Sequence, residues 1–229
     1  MKIVSQILFA LLFTAVFTGC SDPGKLTQRV SRIEIFTDAG ALEATRYFFY
    51  AESGRLEKVR LDKVGISENL YHYNYDEKGK LTSIVRMPED PAELVDIYLV
   101  FYSSENKISR IEGKERDTDE LYYTEYYEYS QTQNVVKTRY ELYNPTRDGE
   151  IIEYLYDADK LVFSFSDVSE TIYNYDSEGL KENEMDDRFR DGSVDKVRRY
   201  YYEKGDCIPM EPISLLSSYC IQSSLFTNE

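Results

Sequence analysis

The chain predicts an all-β protein, an antiparallel meander of about fourteen strands made from repeated hairpins and curled into a barrel-like or superhelical sheet. Three observations carry this. A seven-residue pattern recurs: Tyr75-Asp76-Glu77-Lys78-Gly79-Lys80-Leu81 aligns with Tyr50-Ala51-Glu52-Ser53-Gly54-Arg55-Leu56, and weaker copies begin at Tyr102, Tyr129, Tyr156, Tyr175 and Tyr202. The steps between these anchors are 25, 27, 27, 27, 19 and 27 residues, the period of a repeat protein with one shortened unit. Residues ahead of each copy alternate in character, as in Tyr71, Tyr73 and Tyr75 against Leu70, His72 and Asn74, which is the period of a strand with two different faces.

Each copy reads as a turn. A short polar residue, two more polar residues and then Gly or Asn match a type I turn closed by a residue at positive φ, where Gly and Asn pay least. A second set of turn residues falls midway, at Val64-Gly65-Ile66-Ser67, Pro88-Glu89-Asp90-Pro91, 113–119, Asn144-Pro145-Thr146-Arg147-Asp148-Gly149 and Asp191-Gly192-Ser193. The stretch Phe36 to Leu42 repeats the pattern half a period early, so it belongs to the opposite end. Open twisted sheets rarely exceed about ten strands without curling, splitting or closing. A barrel or spiral is expected, with two stacked sheets as the alternative, and the short step from Tyr156 to Tyr175 is the expected place for a corner or break.

At the N-terminus, Lys2 precedes the apolar run Ile3 to Phe17, and Thr18-Gly19-Cys20 follows. This is the basic segment, apolar core and small-residue cleavage site of an export signal, and it is shorter than the roughly 20 residues a spanning helix needs. Phe17-Thr18-Gly19-Cys20 resembles the lipobox of bacterial lipoproteins. The resemblance implies cleavage after residue 19 and acylation of Cys20, an anchor of two or three chains that holds a protein on a bilayer almost permanently. Ser21 in place of Asp implies the outer membrane by the same resemblance. The expected organisation is a signal peptide over 1–19, a lipidated tether over 20–29, a Tyr-rich hairpin-repeat domain over 30–206 and a C-terminal cap over 207–229.

The 27 Lys and Arg against 42 Asp and Glu give a net charge of −15, and removing residues 1–19 takes away only Lys2 to leave −16. Nucleic acid is excluded as a partner, because it is bound by clustered cations that displace counterions. With Cys20 acylated, Cys207 and Cys220 remain as an even pair in an oxidising compartment and are expected to form a disulfide.

The repeats resemble the Tyr-Asp (Rhs-type) repeats of bacterial cell-surface and toxin-shell proteins, whose core is Tyr-Asp-x-x-Gly-x-Leu. Residues 75–81 match it in full, and the resemblance extends over about residues 30–206. It implies hairpin units in a bacterial envelope protein. Small lipoproteins of similar hairpin repeats are the closer likeness, since the toxin shells are far larger.

The anchor tyrosines form an expected aromatic ladder across alternate strands, holding neighbouring units in register. Tyr122, Tyr123, Tyr126, Tyr127 and Tyr129 concentrate on one strand near the middle and are the candidate binding face, because Tyr offers an apolar ring and a hydroxyl to protein or glycan surfaces. Catalytic residues, cofactors and metal ligands are not expected. The single His72 has no nucleophile motif beside it, and the acidic groups 117–120 and 186–192 lack the spacing of a calcium loop. The function expected is therefore a non-catalytic envelope lipoprotein that binds or scaffolds an envelope protein or glycan. The alternatives are a wrapper or accessory partner in a toxin or secretion system, and a periplasmic enzyme.

Overall fold

The computed structural model describes residues 26–89, 95–131, 134–143, 146–158 and 160–207. They form fourteen antiparallel strands: β1 (Leu26–Thr37), β2 (Leu42–Tyr50), β3 (Leu56–Lys63), β4 (Ile66–Tyr75), β5 (Leu81–Pro88), β6 (Asp96–Tyr102), β7 (Ile108–Glu115), β8 (Leu121–Tyr129), β9 (Val135–Tyr143), β10 (Thr146–Asp157), β11 (Lys160–Phe165), β12 (Glu170–Tyr175), β13 (Lys181–Asp187) and β14 (Lys196–Cys207). Each strand pairs with its neighbours in sequence, and β14 pairs with β1, so the meander closes into a barrel. Closure removes the sheet edges that a spiral or two stacked sheets would leave exposed.

The short step between Tyr156 and Tyr175 does not break the sheet. Its strands β11 and β12 are six residues each, and they pair from Phe163 opposite Ile172 to Phe165 opposite Glu170. The missing residues come out of strand length and out of the turn, where Asp157 faces Lys160 directly.

The turns after Tyr50, Tyr75, Tyr102 and Tyr175 share one geometry. In residues 76–80 the Asp76 amide donates to the Lys80 carbonyl (2.8 Å), the Gly79 amide donates to the Asp76 carbonyl (2.9 Å), and the Asp76 carboxylate accepts from the Lys78 and Lys80 amides. Gly79 sits at φ +82° and Gly54, its counterpart, at +82°, while Asn106 takes the same role at +68°. The ladder skips a residue after each turn, a bulge that strengthens the local twist.

Every one of those irregularities is stapled. The hydroxyl of each anchor Tyr donates to a main-chain carbonyl on the preceding strand: Tyr50 to Val30, Tyr75 to Leu56, Tyr102 to Leu81, Tyr129 to Ile108, Tyr156 to Val135, Tyr175 to Leu161 and Tyr202 to Lys181, all at 2.7–2.9 Å. Each acceptor lies where the ladder changes register. A carbonyl displaced from the ladder needs a partner when buried, and the phenol supplies it. The ring of each staple closes the interior, and a cation from the previous turn caps several of them: Arg55 lies over Tyr75, Lys80 over Tyr102, Lys107 over Tyr129 and Lys160 over Tyr175.

Inside this ring of tyrosines, Leu56 and Val59, Leu81 and Ile84, and Ile108 and Ile111 form the apolar core with Ile33, Phe48 and Val100. The core thus sits at the end of the barrel where the Tyr turns lie. The outer wall differs. Arg32, Arg60, Arg110 and Arg139 each stack on a directly opposite aromatic ring, Tyr201, Tyr47, Phe101 and Tyr126 respectively, and each pairs at 2.8–3.0 Å with an acid two residues on. A membrane-spanning barrel needs an apolar outer band roughly 25 Å tall, and these mid-strand ion pairs occupy that position. This part of the wall is built for water.

Replacing Gly79 by Val forces a β-branched residue to positive φ and should cost about 1–2 kcal/mol, whereas Lys78→Val should cost far less. Tyr102→Phe leaves the Leu81 carbonyl unmatched and should cost roughly 1 kcal/mol. Urea unfolding followed by circular dichroism measures all three, and equal effects of Gly79→Val and Lys78→Val would contradict the turn geometry.

Candidate binding site at the barrel mouth

The opposite end of the barrel is polar. Strand parity that brings Tyr71, Tyr98 and Tyr200 inward also brings in Arg46, Arg86, Asp96, Asp186 and Arg198, because alternate residues share a face. On one side Arg86 donates to Asp96 at 2.6 Å and to the Asn69 side chain at 3.1 Å. Tyr98 and Tyr122 stand beside this pair, and burial pushes the Tyr98 phenol up to about 12 and raises Tyr122 further. Gly113 leaves the room they use, since a Cβ there would press on the rings of Tyr122 and Tyr123 at 3.2–3.3 Å.

On the other side, next to the β14–β1 closure, lies a buried ion cluster. Lys181 and Glu184 are 1% exposed and pair at 2.9 Å. Glu184 also accepts from the Tyr200 hydroxyl (2.6 Å) and from Arg198 (3.2 Å), and Arg198 continues to Asp186 (2.8 Å), which accepts from Thr171 (3.0 Å). Burial alone would raise the Glu184 carboxyl, but Lys181, Arg198 and the Tyr200 hydroxyl outweigh it and hold the group at about 2. Burial lowers the Lys181 ammonium, against the pull of Glu184. The equivalent positions of earlier units are Leu56 and Val59, Leu81 and Ile84, or Ile108 and Ile111, so charge has replaced apolar contact here.

Between β9, β10 and the β11–β12 turn a cleft of about 890 Å³ opens at the rim, lined by Tyr123, Tyr140, Leu142, Glu150, Ser166 and Arg190 among others. Tyr123 and Tyr140 rings lie 5.7 Å apart. Glu150 accepts from the Ser166 and Ser169 hydroxyls, and Arg190 donates to the Ser166 carbonyl at 3.1 Å. The wall is irregular here because β10 changes register between Asp148 and Ile151, and Gly149 lies so close to Tyr140 that a Cβ would run into its carbonyl. Aromatic rings beside a carboxylate and a guanidinium can hold a polyhydroxylated or peptide-like ligand by stacking and hydrogen bonds.

The five tyrosines of the expected binding face do not share one. Tyr123 and Tyr127 are buried inside the barrel, with the Tyr123 hydroxyl donating to Glu125 at 2.7 Å. Tyr129 is a staple. Tyr122 turns inward because the ladder skips a residue between Gly113 and Lys114. Tyr126 alone stands on the outer wall, beneath Arg139 and bonded to Glu141. Strand alternation explains the division, and Tyr123 is the member that reaches the cleft. Cys207 ends β14 opposite Leu26, while Cys20 and Cys220 lie outside the described residues. The acids at 186–192 are engaged within the protein: Asp186 holds Arg198, and Asp187 accepts from the Phe189, Asp191 and Gly192 amides of its own turn.

Sequence reasoning missed the rim cleft and the ion cluster. The cluster had a signal, since Lys181 and Glu184 interrupt an apolar column of the repeat. The cleft had none, because it depends on which turns meet at the rim.

No family model and no curated protein matches the chain. Among solved structures it is similar to a porin-like protein from Bacteroides uniformis ATCC 8492, at 15% identity over 79% of this chain and 99% of that one, with a TM-score of 0.47. It is also similar to the TcdB2-TccC3 complex without its hypervariable C-terminal region, at 15% identity over 69% of this chain and 9% of that one, with a TM-score of 0.35. The Photorhabdus luminescens Tc holotoxin pore gives 15% identity, 72% and 9% coverage and a TM-score of 0.32. The chain spans about a tenth of these toxin chains.

The ion cluster makes stability depend on acid. The Glu184 contribution is fully present above its unfolded value near 4.5 and is lost as pH falls toward about 2. Glu184→Gln strands the buried Lys181 ammonium and should cost about 3–5 kcal/mol, whereas Lys181→Leu with Glu184→Ile restores the residue types of the other units and should come within about 1 kcal/mol of the native chain or exceed it. Urea midpoints between pH 2 and 7 separate these outcomes. The double variant should also lose most of the acid dependence that Glu184 supplies.

Proposed function

We propose that the protein is a lipid-anchored cell-envelope binding module without catalytic machinery, which keeps its barrel in water and presents the polar mouth away from the bilayer. The observation that carries this reading is the direction of β1. Leu26 pairs with Cys207 at the Tyr-turn end, and Thr37 pairs with Lys196 at the mouth. Cys20 precedes Leu26 by six residues, which reach at most about 20 Å. An acyl anchor at Cys20 therefore tethers the Tyr-turn end, whose turns are polar at residues 52–54, 77–80 and 104–107. The rim cleft then faces outward, with Tyr123, Tyr140 and Glu150 available to an envelope glycan or protein. The outer ion pairs support a barrel beside the membrane and not within it.

The outer membrane is the proposed site of anchoring, following the lipobox-like residues and Ser21. A Cys207–Cys220 disulfide would fasten the chain after β14, and linked peptides in mass spectra of non-reduced protein are its expected signature. A wrapper for a toxin finds less support, because tyrosine and leucine side chains fill the Tyr-turn end of the interior.

Cys20→Ala should abolish incorporation of labelled palmitate and release the protein from membranes. With a fluorophore placed at position 64 on the mouth rim or at position 78 on a Tyr turn, a quencher attached to lipid headgroups should quench position 78 the more strongly. Palmitate incorporation in the Cys20→Ala variant overturns the anchor, and stronger quenching at position 64 overturns the orientation.

A further inference from the structure

The outer wall carries a second pattern, on the flank away from the Arg60, Arg110 and Arg139 ion pairs. Leu155 stands opposite Phe163, Phe163 opposite Ile172, Ile172 opposite Met185, Met185 opposite Val197, Val197 opposite Phe36 and Phe36 opposite Leu42. These residues are direct cross-strand partners, so they form one apolar row from β10 through the closure to β2. Leu155 is 51% exposed, Leu42 44% and Ile172 42%. Phe165 widens the row beside Phe163, the two rings stacked at 5.8 Å. Isolated apolar residues on a surface need no explanation, but a contiguous row of this length marks a surface made to be covered.

The chain supplies a matching cover. Residues 208–229, which follow β14 and lie outside the described residues, include nine large apolar or aromatic residues, among them Ile213, Leu215, Leu216, Leu225 and Phe226, and no Lys or Arg. A segment that stays in solvent is ordinarily poor in such residues and rich in charge. It departs from the end of β14 at Cys207, about 33 Å along the strand from Val197, the residue β14 contributes to the row, so that approach and row together span about 62 Å. The row crosses six strand-to-strand steps, about 29 Å at roughly 4.8 Å each, and 22 extended residues reach about 70 Å. Tethering raises the local concentration of the segment over that of any separate partner.

We propose that residues 208–229 fold back along the outside of the barrel and cover the apolar row from β10 to β2. The docking is intramolecular, and it does not rest on lipidation or on the orientation of the mouth. The segment covers the apolar row, and its own apolar side chains leave water in the same step.

Hydrogen exchange and limited chymotrypsin digestion of the full-length protein test this, since chymotrypsin cuts at residues such as Leu215, Tyr219 and Phe226 and trypsin finds no site in the segment. In the native protein, amides of 208–229 should exchange at least tenfold more slowly than those of an unstructured peptide. The variant carrying Leu155→Lys and Ile172→Lys should lose that protection and be cut faster, while amides of the core strands β3 and β5 keep theirs. Leu216→Asp with Phe226→Asp, which leaves the barrel untouched, should expose the row and raise binding of a hydrophobic dye. Native-protein exchange at the unstructured rate, or protection unchanged in the Leu155→Lys, Ile172→Lys variant, overturns the proposal. So does protection that appears only with a doubled mass in solution, which assigns the row to a second copy, or only on phosphatidylglycerol vesicles, which assigns it to the bilayer.

Discussion

The hydrogen bond from each anchor Tyr to a bulge carbonyl is the interaction on which the rest of this barrel depends. A turn of the Asp76 to Lys80 type forces the ladder to skip a residue, and the skip aims a carbonyl into the interior. Left alone, that carbonyl would cost more than the turn gains. The phenol of the next unit satisfies it, and because the ring must reach that one carbonyl it also fixes the distance between consecutive turns. Seven such contacts set the register of the whole sheet. Burial raises the ionisation of these phenols well above their ordinary value, as at Tyr50 and Tyr75, so they remain donors across any physiological pH.

Much of this was legible because the staple is written into the repeat. The anchor Tyr, the turn glycine and the Leu or Ile six residues on define the strands and their ends, and the period of 27 yields two strands per unit. Closure was not legible as such. It depends on the accumulated twist and on whether β14 can match β1, which no local pattern reports. The capping cations were in plain view, since Arg55, Lys80, Lys107 and Lys160 all precede the apolar residue of the motif, yet their role needs the next unit in space. The tyrosines of β8 misled for a simple reason. A dense aromatic run looks like a surface feature, whereas strand alternation sends every second one inward and a bulge adds Tyr122 to them.

Repetition creates a difficulty that the last unit resolves. A sheet of similar hairpins could add its final strands in more than one register, since one apolar pair fits much as another. Going round the barrel, the paired interior positions change from Leu81 and Ile84 to Val135 and Thr138, then Leu161 and Ser164, and finally Lys181 and Glu184. Polarity grows toward the closure. At β13 a slip of one residue would turn Lys181 and Glu184 to the wrong face, and a slip of two would separate Glu184 from Arg198, its direct partner on β14. Either leaves a buried charge unmatched, at a cost no apolar contact offsets.

The same change in polarity divides the interior into an apolar end and a polar end. Where the column is apolar, the Tyr staples close the interior. Where it is polar, Arg86 and Asp96, and Arg198 and Asp186, stand near the rim with their geometry fixed by partners across the strands. A site needs side chains held in place before a ligand arrives, because ordering them afterwards would consume binding energy. The stapled end holds the strands in register, and the same strands carry the polar side chains of the mouth. In the binding role proposed above, the fold would separate support from recognition along the barrel axis.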